Sequence, residues 1–391
     1  MSHAKIEHPP QFRTLHLLSN SRWTGPSEPA VNLAVALRRA GWDLTFACAA
    51  GPGNRPNGVL DRARARGLPT RTGLDLSKHT RPLRVLRDTA TLRRWIAELG
   101  IGLVHCHLRN AHVVTALALR GRVDRPLIVR SCYLGEGPEG RRERWLLKSH
   151  CDALLVVSER ARRRVVEEFG FPADRVFFVD TAIDLARFDP GRDLGDRRAD
   201  LGLAPDTFVV GLVARIQWRR RFDLILQAVD RARRRLPGLR VLLVGRGTNM
   251  EPIAVRPIRR MGLEETILLP GYQEGDDYVR TLASLDAKIY LVPGTDGSCR
   301  AVREAMAMGL PVIATRRGML RELVGEDERG LLVDETPESL ADAILALAGD
   351  RERCAALGRR GRSFALERFS LEGQAAKVGE VYRTLIERSG P

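Results

Sequence analysis

Short apolar runs alternate with helical stretches along this chain, and the alternation happens twice. In the first half, Thr14 to Leu18 leads through a turn to a helix over 30–40, and Leu44 to Cys48 reads as the next strand. Breakers from Gly51 to Gly58 mark a loop. A helical stretch over 82–99 follows, then strands over 103–107, 127–132, 153–157 and 177–179. The second half restarts at Phe208 to Val213. It continues with a helix over 223–235, strands over 240–244 and 266–269, and helices over 337–348, 351–368 and 371–387. Strands separated by helices need crossover connections, and crossovers dictate parallel pairing. Two such series predict an α/β chain of two Rossmann-like parallel-sheet domains. At 391 residues and 44% apolar, each domain has enough material for a core. The stretch from Asp184 to Pro205 mixes charge, Gly and Pro without apolar periodicity. The expected division is therefore 1–185 for the first domain, 186–206 for a connection, 207–370 for the second domain and 371–391 for a final helix.

One segment carries more chemistry than the rest. An apolar run over 287–292 reads as a buried strand, and a small polar turn follows from Pro293 to Cys299. A helical stretch then begins near Arg300, stops at Gly309 and leads to a strand over 311–314. In a parallel sheet, a loop beyond a strand's carboxyl end that enters a helix N-terminus is where ligands sit. Unpaired first-turn amides and the helix dipole favour a diphosphate there. Asp296 and Glu304 flank the turn with seven residues between them. Carboxylates beside a phosphate must point elsewhere, and sugar hydroxyls are suitable donors to them. The residues describe a nucleotide-sugar pocket.

This segment resembles the E-x7-E region of the family 4 glycosyltransferases, retaining enzymes with the GT-B fold. Asp296 stands at the first acid, Glu304 matches the second, and Ala305, Met306, Ala307, Gly309 and Pro311 fit the residues that follow. The resemblance covers nearly the whole chain. It implies two domains facing across a cleft, a final helix that crosses back to the first domain, and donor contacts from Ser298, Cys299, Arg300 and Ala301. Past the strand ending at Val213, Arg215 matches the family's donor-diphosphate Arg, and Arg220 takes the place of its Lys. Cations fixed there stabilise a departing diphosphate. Arg221 stands where the family has Gly, so the inward-pointing member of Arg219 to Arg221 stays open. Gly245 and Gly247 match a turn beside the base and ribose, and Tyr272 follows a turn whose backbone reads the base. The tyrosine either stacks on a base or packs.

Near the start, Gly25, Pro26, Ser27 and Glu28 resemble the family's G-G-x-E loop, which approaches the diphosphate from the other domain. Pro26 removes one N–H, and Ser27 is expected to cap the helix. The family carries a His after the strand matching 127–129. Here Arg130, Ser131, Cys132 and Tyr133 occupy that region, so Cys132 or Tyr133 takes the place of the His, or the role is vacant. The match of Asp184 and Phe188 to another family motif supports the domain boundary. His105 and His107 alternate on one strand face and invite a metal, but a third ligand of suitable spacing is missing. No metal and no cofactor beyond the nucleotide-sugar donor are expected.

The formal charge is +16, and Lys occurs only at positions 5, 78, 148, 288 and 377, so the excess is nearly all Arg. No aromatic-rich recognition motif accompanies it, and nucleic acid is not the expected partner. On the helix over 82–99, Arg84, Arg87 and Arg94 share a face with Trp95 at its edge, opposite Val85, Leu92, Ile96 and Leu99. A second basic cluster runs from Arg141 through Trp145 to Lys148. Such faces suit an anionic membrane. Scattered cysteines, a polar start from Met1 to Arg13 and no long apolar run predict a cytoplasmic enzyme with peripheral contact at the inner face of the cell membrane. The expected reaction is sugar transfer from a nucleotide diphosphate sugar to a glycan or lipid-linked saccharide, with retention of configuration. Two alternatives are a non-catalytic nucleotide-sugar binder and a GT-B-shaped epimerase of sugar nucleotides.

Overall fold

A computed structural model describes residues 12–23, 25–51, 56–76, 82–292 and 299–389. These fall into two units. One takes the described residues through Ile183 and those from Leu371 onward, and the other runs from Asp184 to Ser370.

The first unit holds seven strands: β1 (Arg13–Leu18), β2 (Leu44–Cys48), β3 (Thr70–Arg71), β4 (Ile101–His107), β5 (Leu127–Cys132), β6 (Ala153–Val156) and β7 (Val176–Phe178). They form one parallel sheet in the order β3-β2-β1-β4-β5-β6-β7. Six helices connect them: α1 (Ser27–Arg39), α2 (Gly58–Ala65), α3 (Pro82–Leu99), α4 (Arg109–Leu119), α5 (Arg141–His150) and α6 (Glu159–Glu167). Period-2 alternation sends neighbouring side chains into different cores. Leu15 and Leu17 of β1 join Leu92, Trp95 and Ile96 of α3 and Val114 and Ala118 of α4. Leu18 instead joins α1 and α2. α3 packs on α4 and α4 on α5.

Trp95 is a correction to the sequence reading. It lies only 4% exposed in the core with Leu92 and Ile96, under the Arg71 guanidinium 5.5 Å from its ring centroid. The face of α3 that meets solvent carries Leu83, Leu86, Arg84, Arg87 and Arg94.

The second unit holds six parallel strands: β8 (Val209–Val213), β9 (Arg240–Val244), β10 (Ile267–Gly271), β11 (Ala287–Tyr290), β12 (Val312–Thr315) and β13 (Gly330–Val333). Their order is β10-β9-β8-β11-β12-β13. Its helices are α7 (Arg197–Asp200), α8 (Phe222–Arg235), α9 (Arg256–Arg260), α10 (Gly275–Ala283), α11 (Arg300–Ala307), α12 (Leu320–Val324), α13 (Pro337–Gly349) and α14 (Arg351–Arg368). α8 and α13 pack together over one core, and α11 packs on α14. Thr336 and Asp350 accept the first-turn amides of Ser339 and Arg353, which starts α13 and α14 where they begin.

The segment before β8 is built into this unit. Asp196 accepts the amides of Arg198 and Ala199 to start α7, and Arg198 reaches Asp286 at 2.8 Å. The same carboxylate accepts the amide of Val209 at 2.7 Å. A last helix, α15 (Leu371–Arg388), lies against α1 in the first unit. Its Gly379 allows that approach: a Cβ there would stand 3.0 Å from the Trp42 indole nitrogen.

Candidate active site

In the second unit, β8 has β9 on one side and β11 on the other, so the chain's winding reverses between β8 and β11. Ligands of such sheets bind outside the carboxyl ends of the strands at that reversal. Arg215 follows β8, Gly245 follows β9, Tyr272 follows β10, and the loop to α11 follows β11. All strands are parallel, so these residues share one edge of the sheet. Asp296 and Ser298 lie outside the described residues.

The turn after β8 settles which arginine points where. Arg220 donates from Nη1 to the Val292 carbonyl, just past β11, and its guanidinium lies 5.9 Å from the Tyr290 ring centroid. Its Nε is buried with no hydrogen-bond partner among the described residues. Arg221 adopts the left-handed conformation at φ 57° that a glycine would take without strain. Its side chain turns to Glu335 at 3.0 Å, while Arg219 bonds to Gln217. Arg220 is therefore the member directed at the strand reversal. Arg215 stays exposed at the same edge.

The two glycines of the Gly245–Gly247 turn serve backbone packing. A Cβ on Gly245 would meet the Ala214 carbonyl oxygen at 2.0 Å, and one on Gly247 would meet that of Ile216 at 2.2 Å. The turn threads against the extension of β8, to which Arg246 also accepts from the Ile216 amide. Between the glycines, Arg246 lays its guanidinium 4.0 Å from the centroid of Tyr272. Tyr272 is half-exposed and so neither packs into the core nor offers both ring faces. Sequence reading missed Arg246, because its role depends on β9 and β10 ending side by side.

Glu304 is 3% exposed in α11. Tyr278 of α10 donates to its Oε2 at 2.6 Å, and Arg300, one turn earlier in α11, stands 3.2 Å from its Oε1. Lys288, fully buried in β11, donates from Nζ to the Ala301 carbonyl at 2.7 Å. Burial pulls the lysine down to about 8, opposed by the charge of Glu304. Burial also pushes the Tyr278 phenol well above its ordinary value, helped by the neighbouring Glu304. Cys299 precedes the helix at φ 50°, and its carbonyl accepts the amides of Val302 and Arg303.

At the start of the first unit, Gly25 and Pro26 form the turn into α1. Ser27 corrects the expectation of a helix cap. Its hydroxyl donates to the Arg22 carbonyl at 2.9 Å and accepts from Asn20, and among the described residues no side chain caps α1. Pro26, with its ring-fixed φ of −78°, occupies the capping position instead. At the end of β5, Cys132 is buried in an apolar cluster with Leu147 and Val156, and burial raises its thiol. Tyr133 follows and bonds through its hydroxyl to Nδ1 of His107 at 2.7 Å.

That bond opens a buried chain which the sequence did not reveal. His107 Nε2 meets His16 Nδ1 at 3.0 Å, and His16 Nε2 meets the Tyr382 hydroxyl at 3.1 Å. The same hydroxyl meets His105 Nδ1 at 2.5 Å, and His105 Nε2 meets Ser131 at 2.7 Å. The missing third histidine is His16, brought beside His105 by the β1–β4 register. The three rings place one nitrogen each within 4.8 Å of one another, a spacing a metal could use. However, all six ring nitrogens are engaged in these bonds. The rings of His105 and His107 also stack at 4.3 Å and 17°, so their lone pairs lie in nearly parallel, separated planes, a poor arrangement for two ligands of one ion. Five hydrogen bonds link six neutral groups, and either direction of donation satisfies every member.

Comparison with known proteins adds to this geometry. Residues 25–187 match the family model described as Glycosyltransferase Family 4, and residues 195–364 match that described as Glycosyl transferases group 1. A D-inositol 3-phosphate glycosyltransferase from Segniliparus rotundus is 30% identical over 293 residues, 74% of this chain and 62% of that protein. One from Nocardia farcinica is 32% identical over 311 residues, 73% of this chain and 68% of that protein. The chain thus spans about three-fifths to two-thirds of the length of these relatives. Among solved structures, Anabaena HepE in complex with UDP superposes at a TM-score of 0.81 with 19% identity, over 95% of this chain and 100% of that one. Both halves match in order, and the two parallel sheets and the acid-bearing α11 agree with them: the chain belongs to the family 4 glycosyltransferases, with the GT-B fold.

Proposed function

We propose that the protein transfers a sugar, with retention of configuration, from a nucleoside diphosphate sugar to an acceptor hydroxyl. The observation that carries this reading is the set of groups at the β8–β11 reversal: Arg220 anchored at Val292, Arg215 exposed on the same edge, and Glu304 one turn into α11. The two arginines neutralise the departing diphosphate, and fixed cations at developing charge contribute most where water is excluded. Glu304 and Asp296 accept sugar or ribose hydroxyls. Cys299, Arg300 and Ala301, at the start of α11, offer backbone amides to the phosphates. Tyr272, backed by Arg246, stacks on the base. The leaving phosphate accepts the proton of the acceptor hydroxyl, so no enzyme nucleophile is required, and the arginines take the place of a metal.

The acceptor is a glycan or a lipid-linked saccharide, and the solvent face of the α3–α4–α5 layer supports the lipid-linked form. There Leu83 and Leu86 stand exposed among Arg84, Arg87 and Arg94, and Trp145 is 63% exposed beside Arg141, Arg142, Arg144 and Lys148. Apolar anchors ringed by cations suit an anionic bilayer surface.

Release of nucleoside diphosphate tests the reading. Purified protein is incubated with UDP-glucose, UDP-N-acetylglucosamine, GDP-mannose and ADP-glucose, with and without lipid-linked and soluble acceptors, including D-inositol 3-phosphate. Acceptor-dependent release with an α-linked product from an α-linked donor is expected. Binding without turnover on any pair, or epimerised sugar nucleotide without acceptor, would overturn it.

A further inference from the structure

Lys288 sits in the middle of a buried strand, where an aliphatic side chain would pack without desolvating a charge. Its neighbours in β11 are Ala287, Ile289 and Tyr290, and β11 is flanked by β8 and β12. Nothing in the sheet requires an ammonium there. The side chain reaches under α11 and donates to the Ala301 carbonyl, in the first turn of that helix. That end of a helix is electropositive, and Arg300 adds a second cation. The favourable partner is the carboxylate of Glu304.

Glu304 is itself held from two sides. Tyr278 donates to one oxygen, and Arg300 faces the other. Tyr278 is itself fixed by its ring, which meets the buried Phe188 edge-on at 6.0 Å. Two elements thus meet at one carboxylate, α10 through a phenol and α11 through a guanidinium one turn earlier, while β11 braces the first turn of α11 through the Lys288 ammonium on the Ala301 carbonyl. Buried charge clusters of this kind add little to fold stability, and apolar replacements of similar volume are often neutral or stabilising. What such a cluster does supply is a carboxylate locked in one rotamer, with its free lone pairs presented in a fixed direction.

We propose that Tyr278 and Lys288 are positioning residues that hold the Glu304 carboxylate in the orientation in which it receives the donor's hydroxyl groups. This rests on the reading of Glu304 as a donor contact. Neither residue touches the donor; both act through Glu304. Losing the phenol lets the carboxylate swing toward Arg300, and losing the ammonium releases the first turn of α11 at the Ala301 carbonyl, the turn that carries Arg300. In both cases the donor must reorder the acid when it binds, directly or through the first turn of α11 that carries Arg300, which weakens its binding and slows transfer together.

The test is a double-mutant cycle on the full chain. Dissociation constants for UDP-glucose and GDP-mannose, and for UDP and GDP, are measured by calorimetry for wild type, Tyr278→Phe, Lys288→Met, Glu304→Gln and the two pairs Tyr278→Phe/Glu304→Gln and Lys288→Met/Glu304→Gln. Each single positioning substitution is expected to weaken binding of the preferred nucleotide sugar about five- to tenfold, while the acceptor KM stays within about twofold. In the Glu304→Gln background the same substitutions should change binding less than about twofold, because the acid through which they act is gone. A purely structural role predicts equal losses in both backgrounds, and that result would overturn the proposal. So would unchanged donor affinity in both single variants. Tyr278→Phe removes only the phenol oxygen and keeps the ring against Phe188, and its unfolding temperature checks that the fold is kept. If wild type binds none of the four nucleotides, the donor-site reading falls and this proposal falls with it. If wild type binds and Glu304→Gln is impaired while Tyr278→Phe and Lys288→Met are not, the reading stands and the positioning role alone is wrong.

Discussion

Glu304 shows what one residue's surroundings decide. Its spacing from Asp296 was legible in the sequence, because an acid one turn into a helix after a buried strand is a local pattern. Its partners were not. Tyr278 lies 26 residues away in α10, and only the tertiary fold brings it to the acid. Glu304→Ala is expected to lower kcat/KM for the donor by about 10- to 100-fold with the fold intact, since a hydrogen bond to a charged group is worth about 1.5–3 kcal/mol. Steady-state rates on a variant with a wild-type circular dichroism spectrum check this. The three arginines 219 to 221 tell a related story. The sequence offered no way to choose among them, because the choice is made by a backbone turn that puts Arg221 at φ 57° and sends its side chain to Glu335. Trp95 failed for a different reason. It lies three residues after Leu92 and one before Ile96, so the helical period already places it in the apolar stripe of α3. Reading it as the edge of the Arg face gave its neighbour Arg94 too much weight.

At the scale of elements, strands and long helices were readable because their periods are local. The strands over 127–132 and 240–244 and the helices over 82–99 and 351–368 have the boundaries expected from pattern alone. Short helices such as α7, α9 and α12 were not, since a few residues give no period to read. The His–Tyr chain was invisible for the same reason that the third ligand was missed: His16 is one polar residue in an apolar strand, and its meaning depends on β1–β4 pairing. The chain fastens α15 to the sheet. Tyr382→Phe keeps the edge contact with Trp42 at 5.1 Å but leaves nitrogens of His16 and His105 without their partner. Each buried unsatisfied group costs about 1–3 kcal/mol, so the unfolding temperature should drop by several degrees. The same chain makes stability acid-sensitive. Burial lowers His16 to about 3 and takes His105 and His107 well below their ordinary value. The folded form therefore refuses protons that the unfolded chain accepts near pH 6.5. Stability is complete above about pH 6.5 and declines as pH falls towards 3, by up to about 1.4 kcal/mol per pH unit for each ring. Urea unfolding at pH 7.5, 6 and 5 measures that slope. A flat profile would mean that the rings are not buried as neutral groups.

On the scale of the whole molecule, two parallel sheets were the most legible property, since the alternation of strands and helices repeats over 391 residues. The cationic surface was legible only as composition. Structure divides it into arginines that serve the fold, such as Arg198 on Asp286, and solvent-exposed ones on α3 and α5, where Arg84 pairs with Asp75 and Arg94 with Glu98. Anionic liposomes should bind the protein at low salt and release it as the Debye length falls from about 10 Å at 0.1 M to about 3 Å at 1 M. Changing Arg84, Arg87 and Arg94 to Glu should abolish sedimentation with them, at about 1 kcal/mol per basic residue. Indifference of wild type to such liposomes would point to a soluble acceptor. The central claim is narrower: the β8–β11 edge binds a nucleoside diphosphate through Arg215 and Arg220 and its sugar or ribose through Glu304. Its most direct measurement is thermal unfolding of wild type and Arg215→Ala with UDP, GDP and ADP, and with the matching nucleosides. One diphosphate present at 100 times its dissociation constant should stabilise wild type by about 2.7 kcal/mol. Arg215→Ala should lose most of that shift while its response to the nucleoside is unchanged. No shift with any diphosphate, or equal loss for diphosphate and nucleoside, would contradict the account.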